Sequence, residues 1–297
     1  MWKNRNVQSD IAHENRLQWF AHALVGIAVG IIACLMGMVE EFLIENVGVK
    51  FTQHFMTPEA LGISDAIIPW LVYASIAGFY GLVSGLMTVY YGPGAMGSGV
   101  AEIIGFLNGV NYPGFINMRT LITKIIGVTL SVSGKLCVGK EGPLAHIGAI
   151  IGVGILYVPG LNLRFLRNDE NKRLFAAAGA SAGVSVAFGA PIGGALFCYE
   201  LSQPNTFWKF AMIWKVFFSC AIGTFTLAVC EAFKLKIIHP HVSQPVFMSK
   251  FTGSALKFGS IDMKGANIFE LLVAGTILGV LGGLLGSFFI AVNTWTN

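Results

Sequence analysis

Several stretches of the chain are free of charged residues and long enough to cross a lipid bilayer, which takes about 20 residues of helix. Trp19–Val39, Ile67–Tyr91, Leu174–Tyr199 and Leu271–Trp295 all qualify. Pro143–Leu163 is also charge-free, but proline and many glycines interrupt it. The apolar stretches Leu121–Val138 and Phe210–Cys230 carry embedded lysines, Lys124 and Lys135 in the first and Lys215 in the second. Six or seven membrane segments of unequal length are therefore expected. Only 11% of the residues are charged and 55% are apolar, against roughly 25% charged in a soluble domain. The fold class implied is an all-α polytopic membrane protein.

The first 18 residues are polar, and the apolar run behind them is too long for the core of a signal peptide. The first helix is therefore expected to stay in place as an anchor. Lys3, Arg5 and Arg16 favour a cytosolic N-terminal segment, 1–18, and Arg164, Arg167, Lys172 and Arg173 mark a second cytosolic loop. The five lysines between Lys234 and Lys264 compete with that topology. The net charge of +4 comes from basic residues dispersed among loops, so no nucleic acid partner is expected. Cys34, Cys137, Cys198, Cys220 and Cys230 lack metal or redox spacing and read as small buried hydrophobes.

Glycine, 37 residues, falls inside the apolar runs as well as in loops. Small residues four apart recur at Gly26/Gly30, Gly81/Gly85, Gly148/Gly152, Gly179/Gly183 and Gly279/Gly283, a spacing that lets helices approach closely in lipid. Three further clusters interrupt apolar segments: Gly97-Ser98-Gly99-Val100-Ala101-Glu102, Gly139-Lys140-Glu141-Gly142-Pro143, and Gly189-Ala190-Pro191-Ile192-Gly193-Gly194. Each precedes what reads as a new helix, and Pro143 and Pro191 suit a helix's first turn. Non-helical backbone at membrane depth survives only inside protein or beside water. Broken helices leave positive N-terminal ends and free N–H groups, which makes them the best pointer to a transport site.

Taken alone, Gly97–Glu102 reads first as a glycine-rich turn with Ser98 as N-cap, although its amides and hydroxyl could also replace the water around an anion. Glu141 is sharper, because an ionisable residue at membrane depth is a functional candidate by default. Its carboxylate could occupy an anion site and leave when protonated or displaced. The alternative is a salt bridge to Lys140 in a cytosolic loop. The cluster is not a phosphate-binding loop, which needs Ser or Thr after Gly-Lys. Glu200 stands equally well as a helix-end carboxylate or as part of a permeation path. His146, alone in an apolar helix, reads as a packing or hydrogen-bonding residue.

In this order and at these intervals, the three clusters resemble those of the CLC chloride channel and transporter family. Phe106–Val110, Ala177–Phe188 and Phe217–Leu227 look most like its lysosomal and endosomal branch. The resemblance runs from Asn15 onward. It implies an inverted-repeat helical fold, a homodimer with a pore in each subunit, and chloride as the ligand with no cofactor. Gly97, Ser98 and Gly99 would hold the anion, with proline at the serine position favouring nitrate in other members. Glu141, with Gly139, Lys140, Gly142 and Pro143, would form the gate. Gly189, Pro191 and Gly193 would complete the third motif. An endolysosomal or other endomembrane is favoured, and the plasma membrane is also allowed.

Four departures accompany the resemblance. Ala101 replaces the usual proline of the first motif, and Lys135 stands where the related branch has a small residue. At the internal position where exchangers of that branch carry a proton-relaying glutamate, the chain reads Glu200-Leu201, which leans towards uncoupled conduction. The second repeat barely begins. The division implied is 19–234 as a first membrane repeat, 235–266 as a loop and 267–297 as the first helix of an incomplete second repeat. The expected function is a chloride channel or chloride/proton antiporter subunit. Alternatively, the chain is a truncated, non-conducting fragment or a regulatory partner of a full-length subunit. An enzyme is not expected, since no nucleophile–base pair or metal-ligand cluster is present.

Overall fold

The computed structural model describes residues 2–54, 63–161, 163–202, 212–238 and 268–296, and among these every regular element is helical. Helix α1 (Trp2–Phe42) continues through a π-helical stretch, Leu43–Val49, into α2 (Lys50–Gln53). Then follow α3 (Ile63–Tyr90), α4 (Val100–Leu107), α5 (Met118–Ser133), α6 (Glu141–Ile155), α7 (Asp169–Phe188), α8 (Pro191–Ser202), α9 (Met212–Ile238) and α10 (Ile268–Thr296). Among the described residues, four stretches are long and apolar enough to cross a membrane: His13–Gln53, Ile67–Tyr90, Met212–Lys234 and Leu272–Thr296.

Two element boundaries stand out. The backbone of the polar residues ahead of Trp19 is the first part of α1, with no proline or glycine to stop it. The charge-free run Leu174–Tyr199 is interrupted where the third glycine cluster implied a new helix. It breaks at Gly189-Ala190 into α7 and α8, with Gly189 at φ 62° closing α7 and Pro191 opening α8. From residue 239 onward the expected loop 235–266, with most of its lysines, lies outside the described residues.

The chain divides into two compact units, residues 1–256 and 257–297. In the first, α6 and α7 form the centre. Every residue from Leu144 to Val153 and from Leu174 to Gly183 is buried. They pack this closely because Gly148 and Gly152 on α6 face Gly179 and Gly183 on α7. A β-carbon at Gly179 would lie 2.7 Å from the carbonyl carbon of Gly148. Helix α9 meets α1 along a second seam of small residues, where a β-carbon at Gly30 would sit 2.7 Å from the Gly223 carbonyl oxygen. Both seams follow the expected spacing. Gly85, by contrast, has nothing within 4 Å among the described residues. The second unit contributes α10.

Helix α3 carries large apolar side chains, including Trp70, Phe79, Leu82 and Val89, each more than half exposed. In water such a face would be costly, and in a bilayer it is matched to its surroundings. Cys34, Cys198 and Cys220 are buried thiols as expected, whereas Cys137 is exposed and Cys230 half-buried.

Candidate functional site: the junction of two broken helices

Helix α3 ends at Tyr90 because the sequence turns to Gly92-Pro93-Gly94, and a short 3₁₀ turn (Pro93–Ala95) leads into the first glycine motif. Gly97 (φ 70°) and Gly99 (φ 86°) take left-handed backbone conformations that favour glycine. Gly99, rather than Ser98, is the N-cap of α4. The Ser98 Oγ still accepts a hydrogen bond from the Val100 N–H at 3.3 Å, so it does part of a cap's work from one position upstream. Gly97 and Ser98 are exposed, and Gly99 is buried.

The second motif also leads into a helix, α6, with Lys140 (φ -99°) as its N-cap. Its first helical hydrogen bond runs from Leu144 N–H to the Lys140 carbonyl at 2.9 Å. Glu141 and Gly142 occupy the start of the helix, where amides have no partner within the helix, and Pro143 has none to offer. The Glu141 side chain folds back so that its Oε2 packs over Gly139, where any β-carbon would collide with it. The Lys140 ammonium does not pair with Glu141. It forms an ion pair with Glu40 on α1, 2.8 Å from Oε2.

The two motifs meet. A β-carbon placed on Gly142 would lie 2.7 Å from the Ser98 Cβ, so the start of α6 and the loop before α4 are in direct contact. The N-terminal ends of both helices, each carrying a partial positive charge, converge there, and Glu141 is the first residue of α6. The third motif is placed differently. Gly189, Pro191 and Gly193 shape the α7–α8 turn, and Gly193 and Gly194 have their nearest neighbours, Ala190, Ser181 and Ser185, in that same hairpin. Leu201, at the expected proton position, packs beside the core cluster of Ile103, Ala180 and Val216.

One feature of the junction was not anticipated. Lys124 of α5 is among the largest fully buried side chains of the described residues, and its ammonium lies 2.7 Å from the Nδ1 of His146 on α6. The other ring nitrogen, Nε2, is 3.0 Å from the Phe115 carbonyl, and the Phe115 ring stacks on the imidazole at 4.4 Å. An ammonium can only donate and a carbonyl can only accept. The pattern therefore fits a neutral imidazole with its proton on Nε2. The ring also lies against Gly99, where a β-carbon would come within 2.6 Å of its Cγ. Glu102 on α4 is within electrostatic reach of Lys124. The embedded lysine and the lone histidine are each visible in the sequence, and a charge at membrane depth needs a partner, but that rule does not say which one. A cavity of about 840 Å³ lies between α5, α6 and the start of α7. Its lining includes neither Ser98 nor Glu141.

Helices broken at glycine-rich loops and meeting at a shared junction define the class, a polytopic α-helical membrane protein with interrupted helices. The sequence model of the voltage gated chloride channel family matches residues 80–297, and the chain belongs to that family. It is 37% identical to the H(+)/Cl(-) exchange transporter 7 of Mus musculus over 94% of its own length, and 35% identical to chloride channel protein D of Dictyostelium discoideum over 95%. It spans between a quarter and about a third of the length of these curated relatives, 26% and 34% of the two. Among solved structures, it resembles a slow cyanobacterial Cl-/H+ antiporter, with a TM-score of 0.62 and 25% identity over 72% of this chain and 47% of the other. The fold is also shared with a eukaryotic CLC transporter, with a TM-score of 0.61 over 82% of this chain and 49% of that one.

Proposed function

We propose that the chain forms the anion-holding and gating part of a chloride channel or chloride/proton antiporter. The observation that carries this reading is the contact of Ser98 with Gly142, which brings two helix N-termini and the Glu141 loop to one place. A dehydrated chloride there would be held by the amides and hydroxyl around Gly97, Ser98 and Gly99. The Glu141 carboxylate, a tethered anion, would compete with it and leave on protonation. The names of the relatives, exchange transporters and chloride channels, support the same substrate. Leucine at position 201 cannot relay a proton, which favours uncoupled movement. A homodimer in an endolysosomal or other internal membrane fits the branch that the chain resembles.

The test is chloride efflux from liposomes holding this chain fused to the remaining length of a curated relative. Efflux driven by an imposed chloride gradient is expected, with proton movement read in the same vesicles to separate channel from exchanger. A folded, membrane-inserted fusion that moves no chloride would contradict the proposal.

A further inference from the structure

Lys140 and Glu141 are neighbours of opposite charge, yet the structure pairs neither with the other. The Lys140 ammonium reaches back to Glu40 of α1, while the Glu141 carboxylate turns over Gly139. Glu40 is only 7% exposed, and its second oxygen, Oε1, has no hydrogen-bond partner among the described residues. A buried, half-satisfied carboxylate is a poor way to gain stability. Its effect is on where the ammonium sits.

We propose that Glu40 is a positioning residue for the gate, holding the Lys140 ammonium away from the Glu141 carboxylate. This inference rests on the reading of Glu141 as the gating group. An ammonium resting on Glu141 would favour its charged form and tie the side chain to its own loop. Both effects oppose a carboxylate that has to become neutral and move. With Glu40 in place, the lysine is neutralised from the side of α1 and the gate is left unencumbered.

The other charged groups around the junction are engaged or lie elsewhere. On α1, Glu41 is ion-paired with Lys234 of α9. On α5, Lys124 is bonded to His146 of α6 and within reach of Glu102 of α4. Lys135 is exposed at the end of α5, and Asp169, Glu170, Lys172 and Arg173 of α7 sit at that helix's N-terminal end. Glu40 is thus the acid that Lys140 meets.

The experiment follows chloride efflux from the fusion protein as external pH is varied. Glu40→Gln frees the ammonium, and the pH of half-maximal efflux is expected to fall by about one unit, the scale of an opposite charge arriving beside a carboxylate. Glu40→Gln combined with Lys140→Met has no ammonium to move and should return the midpoint to that of the parent. A purely structural ion pair would lower the yield of folded protein in both variants without an acid shift, and that result overturns the proposal. So does a shift that persists in the double variant.

A second measurement needs no transport. In the chain carrying Cys137→Ser and Glu141→Cys, the introduced thiol is treated with anionic and cationic methanethiosulfonates, over the background of the same chain with Glu141 intact. Adding Glu40→Gln should raise the anionic-to-cationic rate ratio several-fold, and adding Lys140→Met as well should reverse it. An unchanged ratio, or one that Lys140→Met does not reverse, refutes the placement of the ammonium. A parent without chloride efflux but with a responsive ratio refutes the chloride reading alone.

Discussion

Ser98 packs against the α-carbon of Gly142, leaving no room for a side chain at that glycine. The start of α6 can approach the loop before α4 only because position 142 carries no β-carbon. Gly142→Ala should push the two loops apart and abolish most chloride efflux while the protein still inserts. Adding Ser98→Gly removes the opposing β-carbon and should recover part of the lost efflux. Failure of this second change to recover any would mean that Gly142 matters for a reason other than this contact.

Ser98 itself is open to a second probe. It is exposed at the head of α4 and shares its hydroxyl with the Val100 amide. If the hydroxyl also helps hold the anion, Ser98→Pro should raise the nitrate-to-chloride permeability ratio several-fold, as the family resemblance implies for proline at this position. Reversal potentials of the fusion protein measure this, and an unaltered ratio removes Ser98 from the filter.

Lys135 occupies the left-handed position, φ 55°, just past the end of α5. The Lys135 N–H bonds to the Val132 carbonyl at 2.9 Å and the Leu136 N–H to the Ser131 carbonyl at 3.2 Å, the pattern of a Schellman cap in which glycine is usual. Lys135→Gly should therefore stabilise the protein by about 1 kcal/mol. A higher melting temperature in detergent is the expected readout.

The α6–α7 contact is less forgiving. A methyl group at Gly179 would run into the Gly148 backbone, with neither helix able to give way without moving the junction at the head of α6. Gly179→Ala should cost about 1–3 kcal/mol, the usual range for overpacking. It should lower the melting temperature together with the yield of folded protein.

Much of this was legible in the sequence, because lipid and glycine spacing act locally. The charge-free runs around Trp19, Ile67 and Leu271 became long helices, and the seams at Gly148/Gly152 and Gly179/Gly183 followed from spacing alone. The break at Gly189-Ala190 is legible from glycine and Pro191, although hydropathy alone carries straight across it. What stayed hidden was long-range pairing. Lys140 has an acid beside it in sequence but bonds to Glu40, and Lys124 finds His146 on another helix. No local pattern encodes which of several acids or bases a buried cation will meet.

The central claim is that Glu141 gates an anion pathway at the junction it shares with Ser98. Glu141→Ala removes the tethered anion without adding bulk, so nothing remains to compete with chloride or to be protonated. Chloride efflux from the fusion protein, measured from mildly acidic to mildly alkaline external pH, addresses this directly. The account predicts sustained efflux that no longer varies with pH, whereas the parent does vary. Efflux that is lost in a normally inserted variant, or that keeps the parent's pH dependence, would contradict it.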